Sequence, residues 1–279
     1  MNNGKEEEEK EKEMCSVVVE KVGGRSSIIR CLSRYPLKFI TPNKVGPSKI
    51  DAVWVYVLNY GGGIVSVYKS VGSKCSQQIL EARVGSNALF AIIPDPVTCF
   101  STARYHQKQV FTVSSDSNLV IVDWITSGRH ESGEKWDFDL YRSTNNIFLD
   151  DGQPLFLDTM LLEKDKFGRV KEHMLDYQVI AMIVLLGPKM QYIQNIVQDN
   201  VKRIMSDQLH NPSAASSHQK NKADFFTTKP TFVASCSVFG PKKIGLIVRV
   251  ASVTTESVYK FLRQQLAPLE PMIGVPPYR

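Results

Sequence analysis

The chain has 279 residues, 43% of them hydrophobic, and a formal charge of +6. That is enough apolar material for one large domain or two small ones, which excludes a wholly disordered chain. The longest uninterrupted apolar run, Val179 to Gly187, falls far short of the roughly 20 residues a bilayer helix needs, so no membrane span is expected.

Residues 1 to 13 carry six glutamates and three lysines, a local charge of −3 that leaves about +9 on the remainder. With nothing to bury, residues 1–14 are expected as a disordered charged tail, and 15–279 as one folded domain. The tail lacks the apolar stretch of a secretory signal, and the five cysteines (Cys15, Cys31, Cys75, Cys99, Cys236) are odd in number and not closely paired. Free thiols in a reducing, cytoplasmic compartment follow from that pattern. Lysines and arginines are scattered singly, without the clustered stripe of a nucleic-acid module, so an acidic protein surface is the expected use of the basic body.

Val17 to Val22 and Ser26 to Leu32, joined at Gly23-Gly24, read as a hairpin. Prolines 36, 42 and 47 then mark a loop. Short β-rich runs follow at Ala52 to Leu58, Gln78 to Val84, Ala88 to Ile93, Gln107 to Ser114, Leu119 to Ile125 and Lys135 to Tyr141. In the last, Trp136, Phe138 and Leu140 alternate with polar neighbours at the period of a half-buried strand. After Pro188, apolar residues recur at Met190, Ile193, Ile196, Val197, Val201 and Ile204, the spacing of an amphipathic helix. Residues 206–229, rich in Ser, Asn and Lys, read as a mobile loop. Strands at Thr231 to Val238 and Ile244 to Val250 lead to a second helix, capped by Thr254 or Thr255, with Val258, Phe261, Leu262, Leu266 and Leu269 on one side. The fold class is therefore mainly β (α+β): a layered or helical-type β-sheet body with two amphipathic helices in the C-terminal half.

No close Cys or His pair offers a zinc site, and no phosphate-binding lysine loop occurs. Tyr60 to Val65, with Gly61, Gly62 and Gly63, joins strands instead of opening a helix and reads as a sheet corner. Cys99, His106 and Asp95 are close in sequence but match no nucleophile signature. Asp123 interrupts the apolar strand Leu119 to Val122; it is either satisfied at a strand end, by backbone or Arg129, or lines a wet cavity. Asp95, Asp123, Glu134 and His106 are the groups that could serve a passing divalent metal.

Pro94-Asp95-Pro96-Val97-Thr98-Cys99-Phe100 with Arg104, and Val122 to Arg129 (including Trp124 and Gly128) followed by Gly133-Glu134, resemble segments of the UreD (UreH) urease accessory family, plant members in particular. Gly61 to Ser66, Tyr68, Pro154-Leu155 and the closing Gly274 to Arg279 are similar too. The resemblance implies a noncatalytic scaffold with no tightly bound cofactor, which binds urease apoprotein and the helical protein UreF directly and the GTPase UreG through UreF. It also implies a passage conducting nickel, for which Asp95, Asp123, Glu134 and His106 are the candidate weak ligands. A hydrolase using Asp123, His130 and Glu134, or a plain adaptor without a metal role, are the alternatives.

The chain departs from the family in one place. Ser66 meets Val67-Tyr68-Lys69 directly, where the family has about two dozen further residues, including a Gly-Asp pair and two to three strands. Their loss is expected to expose unpaired edges and leave the core short of material.

Overall fold

The computed structural model describes residues 14–33, 37–40, 51–59, 75–129, 132–164, 170–210 and 230–278. The charged tail, the glycine run with Tyr68, His130, Arg279 and residues 211–229 lie outside them.

Two mixed sheets face one another. The first has six strands: β1 (Met14–Val22), β2 (Arg25–Leu32), β5 (Ser76–Val84), β8 (Arg104–Val113), β10 (Leu140–Leu149) and β11 (Pro154–Glu163), in the order β11-β10-β8-β5-β1-β2. The second contains β3 (Leu37–Ile40), β4 (Ala52–Asn59), β6 (Leu89–Ile92), β9 (Asn118–Thr126), β12 (Val179–Leu186), β13 (Phe232–Phe239) and β14 (Gly245–Ser252), in the order β13-β14-β12-β9-β6-β4-β3, with the short β7 (Val97–Thr98) beside β9.

From β4 to β10 the chain alternates between the sheets and pairs in parallel within each: β5 with β8, β8 with β10, β4 with β6, β6 with β9. The path is a flattened coil. Ser76 pairs with Tyr105 and Leu89 with Asn118, so that turn takes 29 residues in both sheets, while Ala52 to Leu89 takes 37 and Arg104 to Leu140 takes 36. Antiparallel strands close it: the β1–β2 and β10–β11 hairpins on one sheet, and β12, β14 and β13 on the other.

Alternation along each strand sends one set of side chains between the sheets. Val17, Val19, Leu80, Val84, Phe90, Phe111, Leu119, Ile121, Ile147 and Met182 form the inter-sheet core. The opposite face of the eight-stranded sheet, with Val120, Val122, Trp124, Ile183 and Leu185, is covered by helices. One is α2 (Gln191–His210), which follows the short α1 (Val170–Met174) and a 3-10 turn at Pro188–Met190; it buries Ile193, Val197 and Val201. The other is α3 (Thr255–Leu266), whose cap is Thr254: its hydroxyl accepts from the Ser257 amide, and Val258, Phe261, Leu262 and Leu266 are buried as the spacing required. The brief α4 (Glu270–Ile273) ends at Gly274. No helix among the described residues is long and apolar enough to cross a membrane.

Four expectations change, the first being that Leu37–Ile40, read as part of a proline-marked loop, is strand β3 paired with β4. Lys135 to Asp139 is not a strand; Trp136 has φ +56°, which breaks extended pairing, and its indole donates to the Tyr177 carbonyl at 2.8 Å. Trp136 and Phe138 are buried all the same, in a third cluster with Tyr105, Ile125 and Tyr141; the alternation held for burial up to Phe138 and failed after it, where Tyr141 is fully buried and Leu140 only partly. The α2 helix continues to His210, beyond residue 206 where the loop was expected. Among the described residues, the strands on either side of Ser66 are not left open: β1 pairs with β5 along Met14 to Val19, and β4 pairs with β6 along Ala52 to Val55.

Candidate functional site

The inter-sheet layer changes character midway along strands β8, β9 and β10. Between the apolar cluster around Phe111 and Ile147 and the aromatic cluster around Tyr105 and Tyr141, the inward positions are Gln107 and Gln109 on β8, Ser143 and Asn145 on β10 and Asp123 on β9, all buried. The strand period puts them there: Gln107 and Gln109 follow Tyr105 at intervals of two, and Ser143 and Asn145 follow Tyr141 in the same way.

Asp123 is 3% exposed. Ser143 Oγ donates to its Oδ2 at 2.5 Å, Asn145 Nδ2 to Oδ2 at 2.7 Å, and Gln107 Nε2 to Oδ1 at 3.2 Å. Burial raises its pKa, and the three hydrogen bonds oppose that rise only in part. Neither Arg129 nor the backbone satisfies it. The band extends both ways. Tyr105 donates to Gln107 Oε1 at 3.2 Å and to the half-exposed Gln78 Oε1 at 2.6 Å. On the other side, Asn145 is the register partner of Asp158, which pairs with the exposed Arg249 guanidinium at 2.5 Å. Gln109 Oε1 and Asn145 Oδ1 are buried without a hydrogen-bond partner. With the desolvated Asp123 carboxylate, these two orphaned acceptors belong to a polar band within an otherwise apolar interior.

The other expected metal groups do not join Asp123. Asp95 lies on the loop before β7 and accepts from the Tyr259 hydroxyl at 2.9 Å. Glu134 is held by Arg129, with Nε to Oε2 at 3.1 Å and a second contact to Oε1 at 2.5 Å; that pairing lowers its pKa. His106 is on the outer face of β8, and its pKa is lowered by burial and by Arg142 and Lys108. Among the described residues no three His, Cys, Asp or Glu side chains are grouped to hold a metal. Cys99 is buried, and burial pushes its thiol up to about 12, so it is no nucleophile at neutral pH. Gln107, Gln109, Ser143 and Asn145 escaped the sequence reading; the available signal was a run of polar residues at inward positions of strands whose other inward positions are apolar or aromatic.

Most of the motif residues have architectural contacts. The Pro94 carbonyl accepts from Trp124 Nε1 at 2.9 Å and from the Tyr278 hydroxyl at 3.0 Å. Trp124, Tyr259 and Tyr278 pack edge to face, with centroids 5.0 to 6.1 Å apart. The Arg129 guanidinium lies 4.1 Å from the Phe100 ring centroid. Arg104 approaches Glu163 at 3.8 Å. Gly128 has φ +127°, and a Cβ there would sit 3.2 Å from Glu134 Cβ. Gly133 turns at φ +74°. Pro96 follows Asp95 into β7.

Comparison with known proteins agrees with this pattern. The family model for the UreD urease accessory protein matches residues 66–279. Urease accessory protein D of Arabidopsis thaliana is 55% identical, covering 94% of this chain and 98% of that protein. The rice (Oryza sativa subsp. indica) protein of the same name is 50% identical over 94% of each. UreD of an Anaeromyxobacter species is 29% identical over 94% of this chain and 87% of its own length. The Arabidopsis alignment spans 288 positions, more than the 279 residues present, so that relative has positions with no counterpart here. The chain belongs to the UreD urease accessory protein family, whose part in urease maturation it shares.

Proposed function

We propose that this chain is a noncatalytic scaffold of urease maturation. It binds urease apoprotein and UreF directly, holds UreG through UreF, and passes nickel along its interior towards the urease active site in the cytoplasm. The observation that carries the nickel part is the polar band around Asp123. A carboxylate buried amid neutral amide and hydroxyl oxygens offers weak, successive ligands, and weak ligands suit transfer because a tight site would retain the ion. Asp123 supplies the charge; Gln109 Oε1 and Asn145 Oδ1 supply uncommitted oxygens. Asp95, Glu134 and His106 sit outside the band, so their part in conduction is secondary to that of Asp123.

The test is urease activation in a mixture of nickel, apoprotein, UreF, UreG and GTP. Asp123→Asn keeps the size and removes the charge. The expected result is a complex of unchanged composition by size-exclusion chromatography and activation reduced by about tenfold or more, the loss of one charged ligand. Unchanged activation, or loss of the complex itself, sinks the conduction role.

A further inference from the structure

Two register rows meet at the polar band and continue past it to one side of the sheets. In the six-stranded sheet, Gln109, Asn145 and Asp158 are register partners on β8, β10 and β11. In the eight-stranded sheet, Asp123, Met182 and Arg249 are register partners on β9, β12 and β14. Directly opposed residues share a face of their sheet, and Met182 and Ile247, the latter two residues from Arg249, belong to the inter-sheet core, so both rows look into the same layer. The side they run to is open. β11 is the last strand of its sheet, and beyond β14 stands β13, whose Ser235, the register partner of Arg249, is exposed.

Polar groups thus follow one another from the interior to solvent. Asp123 accepts from Asn145, Asn145 stands opposite Asp158, and Asp158, its side chain 10% exposed, pairs with Arg249, whose side chain is 51% exposed. The charge of Asp158 is felt at Asp123, where it adds to the rise in pKa. Asn145, bonded to one carboxylate and opposite the other, leaves Oδ1 buried without a hydrogen-bond partner, as Gln109 beside it leaves Oε1. Two carboxylates and two uncommitted amide oxygens are an all-oxygen donor set of the kind a divalent cation accepts. Arg249 supplies the positive charge that answers Asp158. Its guanidinium is charged at every relevant pH, so it neutralises Asp158 without a proton, and an ion pair half open to water is weakly held.

We propose that Asp158 is a divalent-cation ligand at the β11 and β14 end of the polar band and that Arg249 is its gate, paired with Asp158 until the ion arrives and released to solvent when it does. The inference rests on the conduction reading and adds to it a second charged ligand and an opening for the ion on this side. Competition from the guanidinium weakens the hold of Asp158 on the ion, which suits passage over storage.

Nickel binding to the purified full chain is measured by isothermal titration calorimetry for the wild type, Arg249→Met, Asp158→Asn, those two together, and Asp123→Asn. Arg249→Met keeps the length and drops the charge; Arg249→Gln takes its place if the methionine variant does not melt cooperatively. The expected result is a rise in nickel affinity of about tenfold for the Arg249 variant, cancelled when Asp158→Asn is added. Nickel held at other sites of the chain is common to all the proteins compared and cancels. An Arg249 variant whose affinity does not rise overturns the gate, and an earlier melting midpoint with it identifies a brace between β11 and β14. If Asp123→Asn still weakens nickel binding in that case, the conduction reading stands without the gate; if it does not, both fall. A rise that survives the addition of Asp158→Asn places the extra ion elsewhere and overturns Asp158 as its ligand.

Discussion

Two buried or half-buried carboxylates oppose one another in their response to pH. Burial raises the Asp123 pKa, so between the unfolded and folded values the folded chain keeps a proton that the unfolded chain has released. Its stabilising contribution is present below the unfolded value, about 4, and is lost as pH rises through the folded one. Asp123→Asn removes that slope, and urea midpoints plotted against pH should fall less steeply for the variant above about pH 4. Asp123→Leu leaves Gln107, Ser143 and Asn145 without their shared acceptor and should cost about 3 kcal/mol in chemical denaturation. Asp51 has the opposite sign. Burial pushes its pKa up, but hydrogen bonds from Lys189, Lys21 and the Ser26 amide outweigh this and hold it well below the usual range. Its contribution is present above the unfolded value and lost as pH falls through the folded one. Asp51→Asn should therefore lower the neutral-pH stability by about 1 kcal/mol and make little difference in strong acid.

At the scale of elements, the C-terminal segment is bound back onto the coil. Tyr278, 4% exposed, inserts beside Trp124 and Tyr259 and donates to Pro94, which ties together two sequence motifs separated by more than half the chain. Tyr278→Phe should cost about 1 kcal/mol through the lost hydrogen bond and Tyr278→Ala about 3 kcal/mol through the cavity, read as successive falls in the melting midpoint. Helices were legible because their apolar stripe repeats locally and Thr254 marks a start. Strands β4, β5, β6, β8 and β9 were legible from their β-branched runs. The strand read at Lys135 to Tyr141 failed because alternation says nothing of a positive φ at Trp136, and past Phe138 it also misplaced Leu140 and Tyr141. Asp123 stood out in the sequence as a charge in an apolar strand. Its partners did not, because Gln107, Ser143 and Asn145 come to it from β8 and β10 through parallel pairing that no local pattern encodes.

The whole molecule behaves as a stack. A coil whose turns contact only their neighbours loses a complete turn more easily than a sandwich loses a strand, since the turns on either side meet in the same parallel register. Turns of 29, 36 and 37 residues are somewhat longer than the two dozen that the resemblance implies are missing after Ser66, and β1 with β5 and β4 with β6 pair on either side of that point. Restoring the segment should therefore change the thermal midpoint by only a few degrees. A fall or rise of about 15 °C would mean that the shortened region is not a whole turn. Urease activation by the restored and the present chains then distinguishes a dispensable turn from a required one.

A stack of turns is also a ruler. Each turn adds one strand spacing, about 4.8 Å, along the axis at whose ends the two hairpins of the six-stranded sheet stand. Partners docked at opposite ends of a chain one turn shorter would stand closer by that distance, so an assembly built on the longer relatives would have to close a gap of about one strand to accept this one.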